Sequence, residues 1–151
     1  MKIASHLDVR LTVAAIIESE QRFLTVVELS AGLEVYSQPA GHVEPNESLA
    51  DAMTREVLEE TGYACQPTHV TGIHLLTRPG RSTILRVSFA ASVIGESSGP
   101  RDPDILRTQW LTHSQLSQLP ARSPLVMRSL DEYLAGQRHP LTLLDHLVLT
   151  P

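Results

Sequence analysis

The chain is 151 residues long, 42% hydrophobic and 19% charged, with seventeen acidic against twelve basic residues for a net charge of -5. Those values describe a globular chain large enough to bury a core unaided, expected as a single domain over residues 1–151. They exclude disordered and fibrous classes, a basic nucleic-acid surface, and a membrane span of roughly 20 apolar residues.

Lys2 is a weak charged start, and Asp8 and Arg10 interrupt the apolar stretch behind it, so no secretory signal is read and a cytoplasmic location is expected. Val9, Leu11, Val13, Ala15 and Ile17 alternate with more polar neighbours and predict a strand. Glu18 to Arg22 reads as a turn, and Phe23 to Leu29 as a second strand in a hairpin with the first. Glu34 to Gln38 is a short third strand, closed by Pro39. Ser48 to Thr61 is the clearest helix, with Ser48-x-x-Asp51 as a capping box and Gly62 where a C-terminal glycine belongs. Thr68 to Thr77 and Thr83 to Ile94 predict strands parted by Arg78-Pro-Gly-Arg81. In the second of these Leu85, Val87, Phe89, Ala91 and Val93 share one face, and Arg86, Ser88, Ala90 and Ser92 the other. Gly95 to Pro103 reads as a loop, Ile105 to Leu111 as a strand, and His113 to Leu119 and Pro124 to Gly136 as helices. The apolar Leu141 to Leu149 has no assigned form. Strands and helices that do not strictly alternate predict an α/β (α+β) chain, a mixed sheet with helices packed on it.

Negative charge is concentrated in one segment. Between Gly41 and Tyr63 lie Glu44, Glu47, Asp51, Glu56, Glu59 and Glu60 against Arg55 alone, which accounts for the whole net charge. At roughly 100° per residue, Glu56 and Glu60 lie about 40° apart on the helix and Glu59 about 60° to the other side. Three carboxylates thus crowd one arc and repel unless something compensates them. Leu49, Met53 and Val57 form a stripe beside them, so the helix packs while the acids face a cleft. Oxygen-only donors of this kind suit Mg²⁺ or Mn²⁺ rather than zinc.

The run Gly41-x5-Glu47-x7-Arg55-Glu56-Val57-x-Glu59-Glu60-x-Gly62-Tyr63 resembles the Nudix box, G-x5-E-x7-R-E-U-x-E-E-x-G-U with U a bulky apolar residue, at every specified position. A chance match at one starting point is on the order of 10⁻⁹, and the whole chain resembles a Nudix hydrolase. The resemblance implies the Nudix fold, an α/β/α sandwich with a mixed sheet, and hydrolysis of a diphosphate bond in a small nucleotide. It implies that Glu56, Glu59 and Glu60 supply metal ligands and a base, with Mg²⁺ or Mn²⁺ as cofactor. It further implies the Ala40 carbonyl as a backbone ligand, Arg55 as the arginine that orients the acids, and Glu47 as an aid to the metal site. Either Glu56 or Glu60 is read as the base, and Asp102, Asp104 and Glu96 as candidate carboxylates outside the box. Gly41 to Asn46 is read as a loop in which Gly41 permits a conformation that a side chain would block.

Outside the box, Gln38-Pro-Ala-Gly-His-Val-Glu44, Arg122-Ser-Pro-Leu-Val126 and Gly136-Gln-Arg-His-Pro-Leu141 look like bacterial Nudix phosphatases. Those take nucleoside tri- and diphosphates and hydroxymethylpyrimidine pyrophosphate. The expected partner is therefore a small nucleotide or pyrimidine diphosphate, not nucleic acid or membrane. Arg86, His42 and Asp104 are candidate substrate contacts. The cations along the open edge, Arg78, Arg81, Arg86 and Arg107, look too few for extra phosphates, and six aromatic residues too few for two stacking clamps.

Other patterns read blandly. Lys2 is the only lysine, which leaves P-loop and Schiff-base chemistry without a suitable residue. Cys65, the only cysteine, excludes an internal disulfide and a cysteine-rich zinc site. Gly95-Glu-Ser-Ser-Gly99 matches a nucleophile elbow, but Pro100 and Pro103 follow where a helix should start. His69 and His74 read as strand or surface histidines, and Phe89 and Trp110 as core. A nucleotide-sensing domain without catalysis is opposed by the complete set of box acids. Isomerase chemistry on this fold needs a cysteine that Cys65 is poorly placed to supply.

Overall fold

A computed structural model describes residues 6–151, so Lys2 lies outside the described residues. β1 (Val9–Ile16) runs through the middle of the molecule. Val13 to Ile17 are all buried, as a strand with both faces covered requires. β1 pairs in parallel with β7 (Thr83–Glu96) and antiparallel with β5 (Ala40–His42). β6 (Tyr63–Leu76) completes this mixed sheet in the order β5-β1-β7-β6. One face carries Val13, Ala15, Val87 and Phe89 against Met53 and Val57 of α1 (Leu49–Thr61). The other meets α3 (Leu125–Leu134), where the Ser88 and Ser129 hydroxyls lie 3.4 Å apart in the buried interface. This is the sandwich expected, with Ser88 and Ala90 of the more polar strand face buried rather than wet.

A second, antiparallel sheet was not foreseen. It contains β2 (Glu18–Ser19), β3 (Arg22–Ser30), β4 (Leu33–Ser37) and β8 (Ile105–Thr112), with β8 and β4 flanking β3. The expected hairpin of the first two long strands does not form, because β5 and β7 occupy both edges of β1. Only the short β2 pairs with β3, through a turn in which Glu20 and Gln21 have φ of 50° and 62°. The chain crosses between sheets at Ile17, whose carbonyl accepts from the Leu24 N–H at 2.9 Å.

α1 starts at Ser48, whose hydroxyl accepts from the Asp51 N–H at 3.1 Å. Only this half of the expected capping box is recorded. A complete box, Thr112 with Gln115, begins α2 (His113–Ser117). α1 ends at Gly62 with φ 78°. β6 follows at once and absorbs Pro67 at a register shift, so it begins earlier than composition suggested. Val70 and His139 exchange backbone hydrogen bonds at 2.9 and 2.8 Å, which pins the segment after α3 to the edge of β6. The apolar tail makes one 3-10 turn, Leu141–Leu143, and leaves Leu147, Val148 and Leu149 exposed. Among the described residues no helix is long and apolar enough to cross a membrane.

Candidate active site

The acids of α1 meet the mixed sheet at β5. Gly41 lies on that strand opposite Val13, so the start of the motif is a strand and not the loop expected. Its φ is unexceptional. Glycine serves for a different reason: a Cβ at residue 41 would fall on the Glu56 carboxylate and displace it. The glycine supplies space, not backbone freedom.

Arg55 organises the acids around it. Its Nε and Nη2 donate to the two oxygens of Glu47 at 3.0 and 2.7 Å, and Nη1 donates to Glu56 Oε1 at 2.9 Å and Glu59 Oε2 at 3.3 Å. Nη2 also donates to the His42 carbonyl at 2.9 Å, tying α1 to β5. The fork geometry suits this multiple recognition better than a lysine would. Arg55 donors hold Glu47 below the usual carboxylate range against some burial, and Glu47 raises Arg55 in return. Glu47 faces Arg55 and does not line the cavity described below; Glu59 is likewise outside it, with its side chain 50% exposed.

Glu60 differs. It is 6% exposed, and its Oε1 accepts from the Ala40 N–H at 2.7 Å. Burial pushes its carboxyl up to about 8, against the pull of that hydrogen bond, and the neighbouring Glu56 and Asp102 add to the rise. Burial also raises Glu56, opposed by Arg55.

Glu56, Glu60, Ala40 and Gly41 line a cavity of about 980 Å³ with Asp102, Asp104 and Arg86. Of the three loop acids considered, Asp102 and Asp104 therefore reach the site, while Glu96 ends β7 outside it. The Asp102 N–H donates to the Glu59 carbonyl at 2.7 Å, fastening the loop to α1. Arg101 adds a second fastening. Its guanidinium lies where a Cβ on Gly62 would be, and it donates to the Ser97 and Gly99 carbonyls at 2.8 and 2.6 Å.

His42, Thr12 and Arg86 form one row across β5, β1 and β7, each paired with Thr12 in register. Both candidate substrate contacts on the sheet thus share a face. Arg86 Nε donates to Thr12 Oγ1 at 3.1 Å. Burial draws Arg86 down to about 10, opposed by the charge of Glu60, so it stays cationic at neutral pH. Arg78 and Arg81, expected along the open edge, enter the same cavity, while the sequence offered no signal for Thr12 or for Arg122, which pairs with Glu28 there. Their approach depends on pairing between distant strands.

No Phe, Tyr or Trp among the described residues lines the cavity. Phe89 is fully buried and Trp110 packs edge-on against Tyr63 at 5.9 Å. His74 bonds Glu132 at 3.0 Å and His69 is exposed, so the two are not a metal pair. Cys65 is buried with its sulfur 3.8 Å from that of Met53, away from the cavity.

Among the described residues no three His, Cys, Asp or Glu side chains close into a ready-made cage. The donors nevertheless fit a hard divalent cation. They are all oxygens, Gly41 leaves room before Glu56, and Glu60, whose Oε1 alone is taken by the Ala40 N–H, lines the same cavity as Glu56.

Comparison with known proteins shows the family and the fold. The family described as NUDIX domain matches residues 8–133. The phosphatase NudJ of Escherichia coli (strain K12) is 38% identical over 135 residues, covering 88% of each chain, and that of Shigella flexneri is equally similar. A solved NUDIX hydrolase from Nitrosomonas europaea superposes with a TM-score of 0.87 at 38% identity, over 91% of this chain and 97% of that one. The MutT protein of Methanosarcina mazei Go1 shares the fold, with a TM-score of 0.70 at 20% identity over 89% of this chain and 100% of that one.

Proposed function

Because the chain belongs to the NUDIX family, we propose that it hydrolyses a diphosphate bond in small nucleoside di- and triphosphates or pyrimidine pyrophosphates, with Mg²⁺ or Mn²⁺ as cofactor. The relatives named phosphatases support hydrolysis rather than sensing or isomerisation. The observation that carries the reading is the buried Glu60 carboxyl, held by the Ala40 N–H and sharing one cavity with Glu56 and the cationic Arg86. The reading treats residues 1–151 as one domain acting in the cytoplasm.

Glu56, Glu59, Glu60 and the Ala40 carbonyl are the proposed holders of the metal, and Glu47 acts on them through Arg55. When bound, a divalent ion supplies positive charge to the phosphate oxygens and makes a neighbouring water more acidic. Arg55 holds Glu56 Oε1, which leaves Oε2 free to take the proton of the attacking water. Glu60 keeps its position through the Ala40 N–H. Arg86, fixed by Thr12, meets a phosphate oxygen of the substrate. A wall without aromatic rings grips a base weakly, so modest discrimination among bases is expected.

A screen of nucleoside di- and triphosphates, pyrimidine pyrophosphates, sugar nucleotides and dinucleotides tests the proposal. Phosphate or pyrophosphate release with Mg²⁺, abolished by EDTA, is expected. Failure to hydrolyse any nucleoside or pyrimidine diphosphate would overturn it. So would a dinucleoside polyphosphate whose kcat/KM exceeds all of them by more than about tenfold, roughly 1.4 kcal/mol of transition-state preference.

A further inference from the structure

The turn between β6 and β7 is built to present two arginines. In Arg78-Pro79-Gly80-Arg81 the Arg81 N–H donates to the Arg78 carbonyl at 3.0 Å, and Gly80 has φ 73°. Proline then glycine at the two central positions, with that φ, is the chemistry of a tight type II turn. Arg78 is fixed further, because its Nε and Nη2 both donate to the Ser82 carbonyl at 3.0 and 2.8 Å.

The sheet brings a third arginine alongside. Arg10 stands opposite Ile84 on the parallel pair β1–β7, one row from Thr12 and Arg86 and on their face. Arg10, Arg78, Arg81, Ser82 and His42 line a concavity of about 380 Å³. It shares Arg78, Arg81 and His42 with the main cavity, so the two adjoin. No acid lines it. The nearest described carboxylate by hydrogen bonding, Asp8, is engaged by the Ser82 hydroxyl. Among the described residues none of the three arginines has a carboxylate within ion-pair distance. The three guanidiniums gathered at one hollow thus have no described carboxylate partner in a chain of net charge -5. They repel one another, and an anion placed among them relieves that repulsion.

We infer that this hollow is a second anion site, which holds a phosphate group that the reaction does not cut. The inference rests on the proposed hydrolysis and extends it. A triphosphate with its reacting anhydride at Glu56 and Glu60 carries its remaining phosphate past Arg86 along the sheet face to Arg10 and Arg81. Triphosphates then rank above diphosphates of the same base. To Arg78 and Arg81, already expected along the open edge, the fold adds Arg10 of β1.

The test uses Arg10→Gln/Arg81→Gln, since both side chains are exposed and neither makes a recorded side-chain hydrogen bond; Arg78 is spared because it anchors the turn. Inorganic tripolyphosphate is titrated into the protein in EDTA at fixed ionic strength. Wild type is expected to bind it at least about tenfold more tightly than the double variant, with Arg10→Lys/Arg81→Lys restoring most of the loss. In Mg²⁺, the ratio of kcat/KM for a nucleoside triphosphate to that for the matching diphosphate should fall at least about tenfold in the glutamine variant. Equal tripolyphosphate binding in wild type and variant, or an unchanged ratio, overturns the inference. If wild type hydrolyses no diphosphate, the proposed reaction falls instead, and the tripolyphosphate titration still decides the site.

Discussion

Glu60 shows most directly what the site costs the fold. Its carboxylate is buried beside Glu56 and Asp102, with the Ala40 N–H as its recorded hydrogen-bond partner. Glutamine resembles the protonated carboxyl that burial favours, so the metal-free protein should melt no lower than wild type. Turnover should fall at least about 10²-fold, because the substituted group no longer supports the ion that polarises phosphate. Steady-state kinetics with parallel melts in EDTA would show whether activity and stability part in this way. The pH dependence has a definite sign. The folded carboxyl titrates near 8, above its ordinary value of 4.5, so between those limits the native state holds a proton that the unfolded chain releases. The metal-free stability present below about pH 4.5 should therefore decline as pH rises toward 8, by an amount on the order of a few kcal/mol. Denaturant titrations across that range should find a flatter profile in Glu60→Gln. Glu56, Glu59, Glu60 and Arg55 were legible together because helical spacing places them on one helix. The bonds of Arg55 to Glu47 and to the His42 carbonyl were not, since these lie outside α1 and approach only in the fold.

At the scale of elements, α1 is held by its ends. Ser48 begins it, and Gly62 ends it in a left-handed conformation with the Arg101 guanidinium lying over the α-carbon. Gly62→Ala meets two obstacles at once, strain at φ 78° and collision with Arg101. The strain alone costs about 1–2 kcal/mol. Displaced Arg101 should also loosen the loop that carries Asp102, so activity should drop further than the stability loss explains. Chemical denaturation together with kcat measured well below the melting temperature separates the two effects. A variant as stable and active as wild type would contradict this account. The helix, its glycine and most strands could be read from periodicity and punctuation. The strand pairing could not. A turn at Glu18 to Arg22 suggests that its flanking strands pair with each other, yet β1 is claimed on both edges by strands from distant parts of the chain. Local pattern reports that a segment is a strand; long-range burial decides its neighbour.

Over the whole molecule, both sheets, α1 and α3 contribute to a cleft that carries charges of both signs. Acids reach it from α1 and the β7–β8 loop, and arginines from the mixed sheet, the β6–β7 turn and the segment before α3, where Arg122 pairs with Glu28. The sequence disclosed the acids of α1, because they are neighbours along the chain, and Arg78, Arg81 and Arg86 as edge cations, but not Arg122, which arrives from a distant segment. Folding gathers Glu56, Glu60 and Ala40, which the unfolded chain keeps apart, so a divalent ion binds the native state in preference and stabilises it. At a hundredfold excess over Kd the gain is about 2.7 kcal/mol, equivalent to roughly 5–10 °C in Tm for a chain of this size. Mg²⁺ and Mn²⁺ should both produce it. Calcium should raise Tm while supporting poor turnover, since its looser coordination satisfies the carboxylates without fixing the reacting groups. The increment should shrink in Glu56→Gln and Glu60→Gln, and persist in Arg10→Gln/Arg81→Gln, whose arginines line the adjoining hollow. Melting curves of these variants with and without each ion measure the difference. A Tm indifferent to millimolar Mg²⁺ in the wild-type protein would show that these oxygens do not form a metal site.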